Sequence, residues 1–181
     1  FFDDLNLRLP DYQFNKGWKS GFEYIWNMFK EIDEVIEKEK PEAVLILWDT
    51  NSCLSAYVAK RKKIPVFHME AGNRCYDENV PEETNRKVID SVSEFLLPYT
   101  QRSREILLTE WYHPSKIIVT WNPITEVLSK YKDSIWKKQI KEEYILVTLH
   151  RDENVTNKSN LKWIISALNE SIQIANENNL E

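Results

Sequence analysis

Ala43-Val44-Leu45-Ile46-Leu47-Trp48, followed by Asp49-Thr50-Asn51-Ser52, is the stretch on which the fold turns. A short, wholly apolar run reads as a strand buried on both faces, the habit of parallel sheets. The Asp, Thr, Asn and Ser after it offer N-cap chemistry for a helix expected to reach about Arg61. Upstream, Phe22, Ile25, Phe29, Ile32 and Ile36 recur at steps of three and four, an amphipathic helix over 20–40 that Pro41 ends. Its aromatic residues read as core. Downstream, Ile64 to Phe67 reads as a second strand and 70–80, without any period, as a loop.

Pro81-Glu82-Glu83 opens a helix to about Val92, with Pro in the first turn and carboxylates at the positive end of the dipole. A strand at 95–97, a helix at 101–110 and a strand at 116–120 follow. The pattern loosens through 123–143, before a strand at 144–149 and a helix from Lys158 to about Asn176. Strands alternating with helices predict an α/β fold with a doubly wound, mainly parallel, Rossmann-like sheet. Residues 1–122 would be most of one domain. Residues 123–181, with one strand and one helix, would begin a second that cannot bury a core alone.

The composition excludes several classes. The chain has 181 residues, 42% hydrophobic and 29% charged, which is not a disordered composition. Lys+Arg number 24 against 29 Asp+Glu, a net charge of −5 that argues against non-specific nucleic-acid binding. No apolar run approaches the ~20 residues that cross a bilayer, and Phe1-Phe2-Asp3-Asp4 lacks the basic start of a signal peptide. Two cysteines, Cys53 and Cys75, make neither a disulfide framework nor a four-ligand zinc site. A cytoplasmic setting is expected, and a chain starting at Phe1 reads as a piece of something longer. Seven Trp against three Gly is odd, because average Gly usage of ~7% would give about a dozen.

Ligands of open parallel sheets bind beyond the carboxyl ends of the strands. There the pattern places Asp49, Glu70 and His150, the equipment of proton transfer, where a base and an acid flank a reacting carbon. Each has a plainer reading. Asp49 would be a helix N-cap, Glu70 a structural loop carboxylate and His150 a buried, hydrogen-bonded histidine. Glu82 and Glu83 are explained by the helix dipole, and Lys62-Lys63 and Lys137-Lys138 by solvated faces.

His68-Met69-Glu70-Ala71-Gly72-Asn73-Arg74-Cys75-Tyr76-Asp77, then Val80-Pro81-Glu82-Glu83-Thr84-Asn85-Arg86, is more specific. It resembles the non-hydrolysing UDP-N-acetylglucosamine 2-epimerase family, with its signature His-Val-Glu-Ala-Gly-Leu-Arg and then Pro-Glu-Glu-x-Asn-Arg. Asp49-Thr50-Asn51-Ser52-Cys53, Thr120-Trp121-Asn122-Pro123 and His150-Arg151-Asp152-Glu153-Asn154 match further blocks in order, and Asp4-Leu5-Asn6-Leu7 a weaker one. The Asn73-Arg74-Cys75 variant looks most like the branch acting on UDP-2-acetamido-2,6-dideoxy-L-talose, which makes UDP-N-acetyl-L-fucosamine for capsule and O-antigen.

The resemblance implies a glycosyltransferase-B-type pair of Rossmann-like domains. The first strand and helix and most of the UDP-holding second domain would be missing, and the fragment alone inactive. It implies a UDP-2-acetamido sugar as substrate, no cofactor, no metal and a homodimer for the full-length protein. Asp49, Glu70, Glu82 and His150 map onto catalytic residues. Arg74 and Arg151 would contact anionic groups and Asp77 a sugar hydroxyl. A hydrolysing 2-epimerase and a glycosyltransferase of the same architecture are the alternatives. Trp48, Trp111 and Trp121 stand where the family has Gly, Trp26 where this branch commonly does, which suggests UGA codons that mean Gly read as Trp.

Overall fold

Val44–Leu47 forms as β1 and pairs in parallel with β2 (Val66–Met69), which pairs in parallel with β3 (Phe95–Leu97). The computed structural model describes residues 5–14, 21–135, 144–149 and 152–177. The chain divides into two compact units, Phe1–Lys132 and Asp133–Glu181. In the first, the order β1-β2-β3 gives a three-stranded parallel sheet. Around it lie α1 (Gly21–Glu39), α2 (Ser55–Arg61), α3 (Pro81–Val92) and α4 (Gln101–Thr109), then α5 (Ile124–Lys130). The α/β reading with a parallel sheet holds.

Register and alternation assign the faces. Val44 pairs with Val66, Ile46 with His68, and His68 with Leu96, so these five side chains share one face. That face is the covered one. Ile36 of α1, Cys53, Ala56 and Ala59 around α2, Val66 and Ile89 of α3 form one buried cluster. Ala71, Leu96, Leu107 of α4 and Ile117 form a second. The opposite face carries Leu45 and Leu47, 62% and 43% exposed, and Phe67 stacked on Phe95. β1 is therefore not buried on both faces as expected. It is an edge strand, with helices packed on one side only among the described residues.

Three further expectations change. Asn51–Leu54 is a 3₁₀ turn ahead of α2, and its N-cap, Thr50, makes no side-chain capping bond. Residues 116–120 do not form a full strand: Pro114–Lys116 is a 3₁₀ turn, after which Ile117 bridges Leu96 in parallel. Ile118 N–H donates to Leu96 O and Thr120 N–H to Pro98 O, so the segment still runs along the outer side of β3. In α1, Phe22 is 89% exposed and is not core.

α6 (Lys132–Ile135) spans the division between the units. The second unit holds α7 (Asp152–Val155) and α8 (Lys158–Glu177). Asn157 Oδ1 accepts from the Ser159 N–H at 2.9 Å and the Asn160 N–H at 3.3 Å, capping α8. Residues 144–149, expected as a strand, have no ladder partner among the described residues.

Candidate active site

Each parallel strand ends at the same edge, and each end hands the chain to a turn. β1 leads into Trp48-Asp49, β2 into Glu70, β3 into Pro98-Tyr99, and the segment beside β3 into Trp121. Asp49 and Glu70 are thus brought to one carboxyl edge, near enough that the charge of Asp49 acts on Glu70. His150 and Arg151 lie outside the described residues.

Asp49 does not cap a helix. Its Oδ2 accepts from Arg86 Nε of α3 at 2.7 Å, and its main-chain O accepts from Asn85 Nδ2 at 2.8 Å. Asn85 Nδ2 also reaches Asn51 Oδ1 at 3.1 Å. One turn of α3 therefore braces the whole turn after β1, across 34 to 37 residues of sequence.

Glu70 sits in the left-handed region at φ 69° and its N–H donates to Leu97 O at 3.0 Å. Asn73 Nδ2 donates to Glu70 Oε1 at 2.8 Å, and Ser103 Oγ of α4 donates to Asn73 Oδ1 at 3.2 Å. Burial pushes the Glu70 carboxyl up, and the charge of Asp49 pushes it further. Arg86, His68 and Asn73 pull the other way without cancelling the rise. A half-buried carboxyl that burial makes a stronger base is suited to take up and give back a proton.

The two adjacent glutamates of α3 part company. Glu82 is half-buried and makes no hydrogen bond or ion pair among the described residues. Glu83 is 1% exposed and is no mere dipole partner. It accepts from Cys75 N–H at 3.0 Å, Tyr76 N–H at 3.3 Å, Cys75 Sγ at 3.3 Å and Arg86 Nη1 at 3.0 Å. Burial alone would raise its carboxyl, but these donors outweigh burial and hold it at about 2.

Arg74, expected as an anion contact, is turned inward with its side chain 0% exposed. Nε and Nη2 donate to Glu110 at 2.7 and 2.5 Å, Nη1 to Asn73 O at 2.7 Å, and Nη2 lies 2.8 Å from Asp90 Oδ2. That guanidinium is spent on the fold. Asp77, expected to meet a sugar hydroxyl, is exposed and closes its own turn, its Oδ1 accepting from Asn79 N–H and Nδ2 at 3.0 and 2.9 Å.

Behind Glu70 lies a buried network that sequence reasoning missed. His68 Nδ1 lies 2.6 Å from Asp90 Oδ1, and Asp90 Oδ2 accepts from the Gly72 N–H at 3.2 Å as well as meeting Arg74. His68 is 1% exposed and Asp90 0%. The available signal was the spacing of Glu83, Arg86 and Asp90, steps of three and four that align on one helix face. Gly72 is held at φ +77°, and a Cβ there would meet Ser103 O at 2.4 Å. Among the described residues no group of His, Cys, Asp or Glu could hold a metal ion, and no helix is long and apolar enough to cross a membrane.

A family profile described as UDP-N-acetylglucosamine 2-epimerase matches residues 1–179. This chain belongs to that family. It is 39% identical to the UDP-N-acetylglucosamine 2-epimerase of Methanocaldococcus jannaschii over 96% of this chain and 50% of the relative. It is 35% identical to the UDP-2,3-diacetamido-2,3-dideoxy-D-glucuronate 2-epimerase of Pseudomonas aeruginosa, over 96% and 51%. The crystal structure of the M. jannaschii enzyme in complex with UDP-GlcNAc and UDP superposes with a TM-score of 0.88 at 38% identity, over 97% of this chain and 51% of that one. The Rickettsia bellii enzyme gives 0.85 at 39%, over 96% and 47%. The chain thus spans about half the length of these epimerase relatives.

Proposed function

We propose that this chain is part of a UDP-2-acetamido-sugar 2-epimerase that inverts C2 by elimination and re-addition of UDP. The observation that carries the reading is the pair Asp49 and Glu70 at neighbouring strand ends, braced by Arg86 and Asn73. The C2–H of such a sugar has no adjacent carbonyl to stabilise a carbanion. Removing the proton while the C1–O bond to UDP breaks gives a 2-acetamidoglucal and free UDP. A proton is then delivered to the other face of C2 and a diphosphate oxygen rejoins C1.

Asp49 and Glu70 handle the C2 proton in this scheme. Glu82, whose carboxylate has no partner among the described residues, orients the sugar. His150 and Arg151 serve the leaving diphosphate, by resemblance. Residues 1–122 belong to the first Rossmann-like domain and 123–181 to the UDP-binding second, and the full-length protein is a cytoplasmic homodimer that makes precursors for surface polysaccharide. Asn73 at the position of the signature Leu favours the 6-deoxy-L-talo sugar nucleotide over UDP-GlcNAc.

Product analysis of the full-length protein tests this. A C2 epimer still joined to UDP supports the epimerase; free sugar and UDP would show a hydrolysing enzyme, and transfer to an acceptor a glycosyltransferase. A kcat/KM for UDP-GlcNAc equal to or above that for the 6-deoxy sugar would refute the branch and leave the family untouched.

A further inference from the structure

Tryptophan in this chain collects where the backbone disfavours it. Among the described residues, eight non-glycine residues have positive φ, and Trp48 at 72°, Trp111 at 68° and Trp121 at 62° are three of them. The described tryptophans are those at 26, 48, 111, 121 and 163, so most of them are left-handed. Only a few per cent of non-glycine residues adopt that region, mostly Asn, Asp and His, because the Cβ crowds the following carbonyl. A bulky ring there is an outlier unless packing compensates. Here it does not: the three side chains are 59%, 94% and 62% exposed, with no hydrogen bond or ring contact among the described residues.

Each position has a local reason to be left-handed. Trp111 follows the Glu110 C-cap of α4, its N–H donating to Leu108 O at 3.2 Å and the Tyr112 N–H to Leu107 O at 3.1 Å. That is a Schellman closure, in which the residue at Trp111 is usually glycine. The C-terminus of α2 closes the same way at Lys63, φ 63°, so the geometry tolerates a long flexible side chain. Bulk and recurrence set the tryptophans apart. Trp48 makes the turn between β1 and Asp49, and Trp121 the turn between the segment beside β3 and Asn122. Trp26 and Trp163 lie inside α1 and α8, where the backbone gives no such reason.

Composition points the same way, with seven Trp and three Gly in 181 residues. We infer that positions 48, 111 and 121 are glycine in the protein as its source organism makes it, their UGA codons being read there as glycine. The inference stands on backbone and composition and does not rest on the epimerase reading, but it changes that site. Position 48 follows β1, and position 121 follows the segment bridged to β3, both at the carboxyl edge. Glycine at 48 takes an exposed ring away from the residue before Asp49, and glycine at 121 takes a second one from the same edge.

The test is a peptide mass map of the full-length protein isolated from its source organism, read beside its codons. Glycine at all three positions over UGA codons is the expected result. Tryptophan at any of them, or a UGG codon, overturns the inference. A second readout addresses the steric cause: full-length protein carrying Trp48→Gly, Trp111→Gly and Trp121→Gly unfolds at a higher Tm than the tryptophan form. Trp163→Gly, within α8, lowers it. A lower Tm for the triple variant contradicts the backbone argument, and neither readout depends on catalytic activity.

Discussion

Asn73 Nδ2 donates to Glu70 Oε1 at 2.8 Å, so the half-buried carboxylate at the end of β2 is held by a side chain of its own turn, itself anchored by Ser103 of α4. The groups facing Glu70 are Asp49 after β1, Arg86 on α3, His68 on β2 and Tyr99 after β3. Asn73 is the neutral donor that helps Arg86 and His68 offset burial and Asp49.

Asn73→Leu in the full-length protein removes that donor and lets the Glu70 carboxyl rise further. The limb of the pH profile of kcat/KM that reports Glu70 moves to higher pH. An unmoved profile in a folded variant would show that Asn73 does not tune Glu70.

Asp49→Asn and Glu70→Gln should each lower kcat by ~10² or more, since positioned acid/base groups contribute 10²–10⁴-fold. Both side chains lie at strand ends rather than in the core, so circular dichroism should be unchanged. Near-normal turnover in either variant contradicts the role given to that residue.

Glu83 supports stability with a defined pH dependence. Its folded-state carboxyl is held at about 2, below its ordinary 4.5. A depressed carboxylate contributes stability above the unfolded value and loses it as pH falls through the folded one. Glu83→Gln should therefore cost ~1–3 kcal/mol at neutral pH, the range for a disrupted buried hydrogen-bonded group. The gap to the parent protein should narrow as pH falls from 4.5 to about 2. Denaturant unfolding across that window reads it, and a gap independent of pH would contradict the assignment.

Asp90 joins His68, Gly72 and Arg74 with no exposure to water. Asp90→Ala leaves a buried guanidinium short of a partner, a change that costs ~3–5 kcal/mol. Equilibrium unfolding of the full-length variant measures it; a loss below ~1 kcal/mol, the scale of an exposed pair, would show that the network bears little of the stability.

Much of the fold was legible because its signals are local. Pro81 with two carboxylates marks the start of α3, and the apolar stretches Val44–Leu47 and Phe95–Leu97 mark β1 and β3. Residues 116–120 misled because β-rich composition cannot show that Pro114 starts a 3₁₀ turn, leaving one bridge to Leu96. At the site, Asp49 looked like a cap because its real partner, Arg86, is 37 residues away. Arg74 read as an anion contact because a loop arginine next to the signature is normally free to meet a ligand. Only tertiary packing brings Asp90 and Glu110 to it, and the same packing separates Glu82 from the buried Glu83.

Proton transfer at C2, with UDP leaving and returning, is the step on which the proposed function rests. Incubating the full-length protein with a UDP-2-acetamido sugar in D₂O measures it directly, by NMR of the recovered nucleotide sugar. The expected result is deuterium at C2 of a product that retains UDP. An epimerised product with hydrogen still at C2 would contradict it.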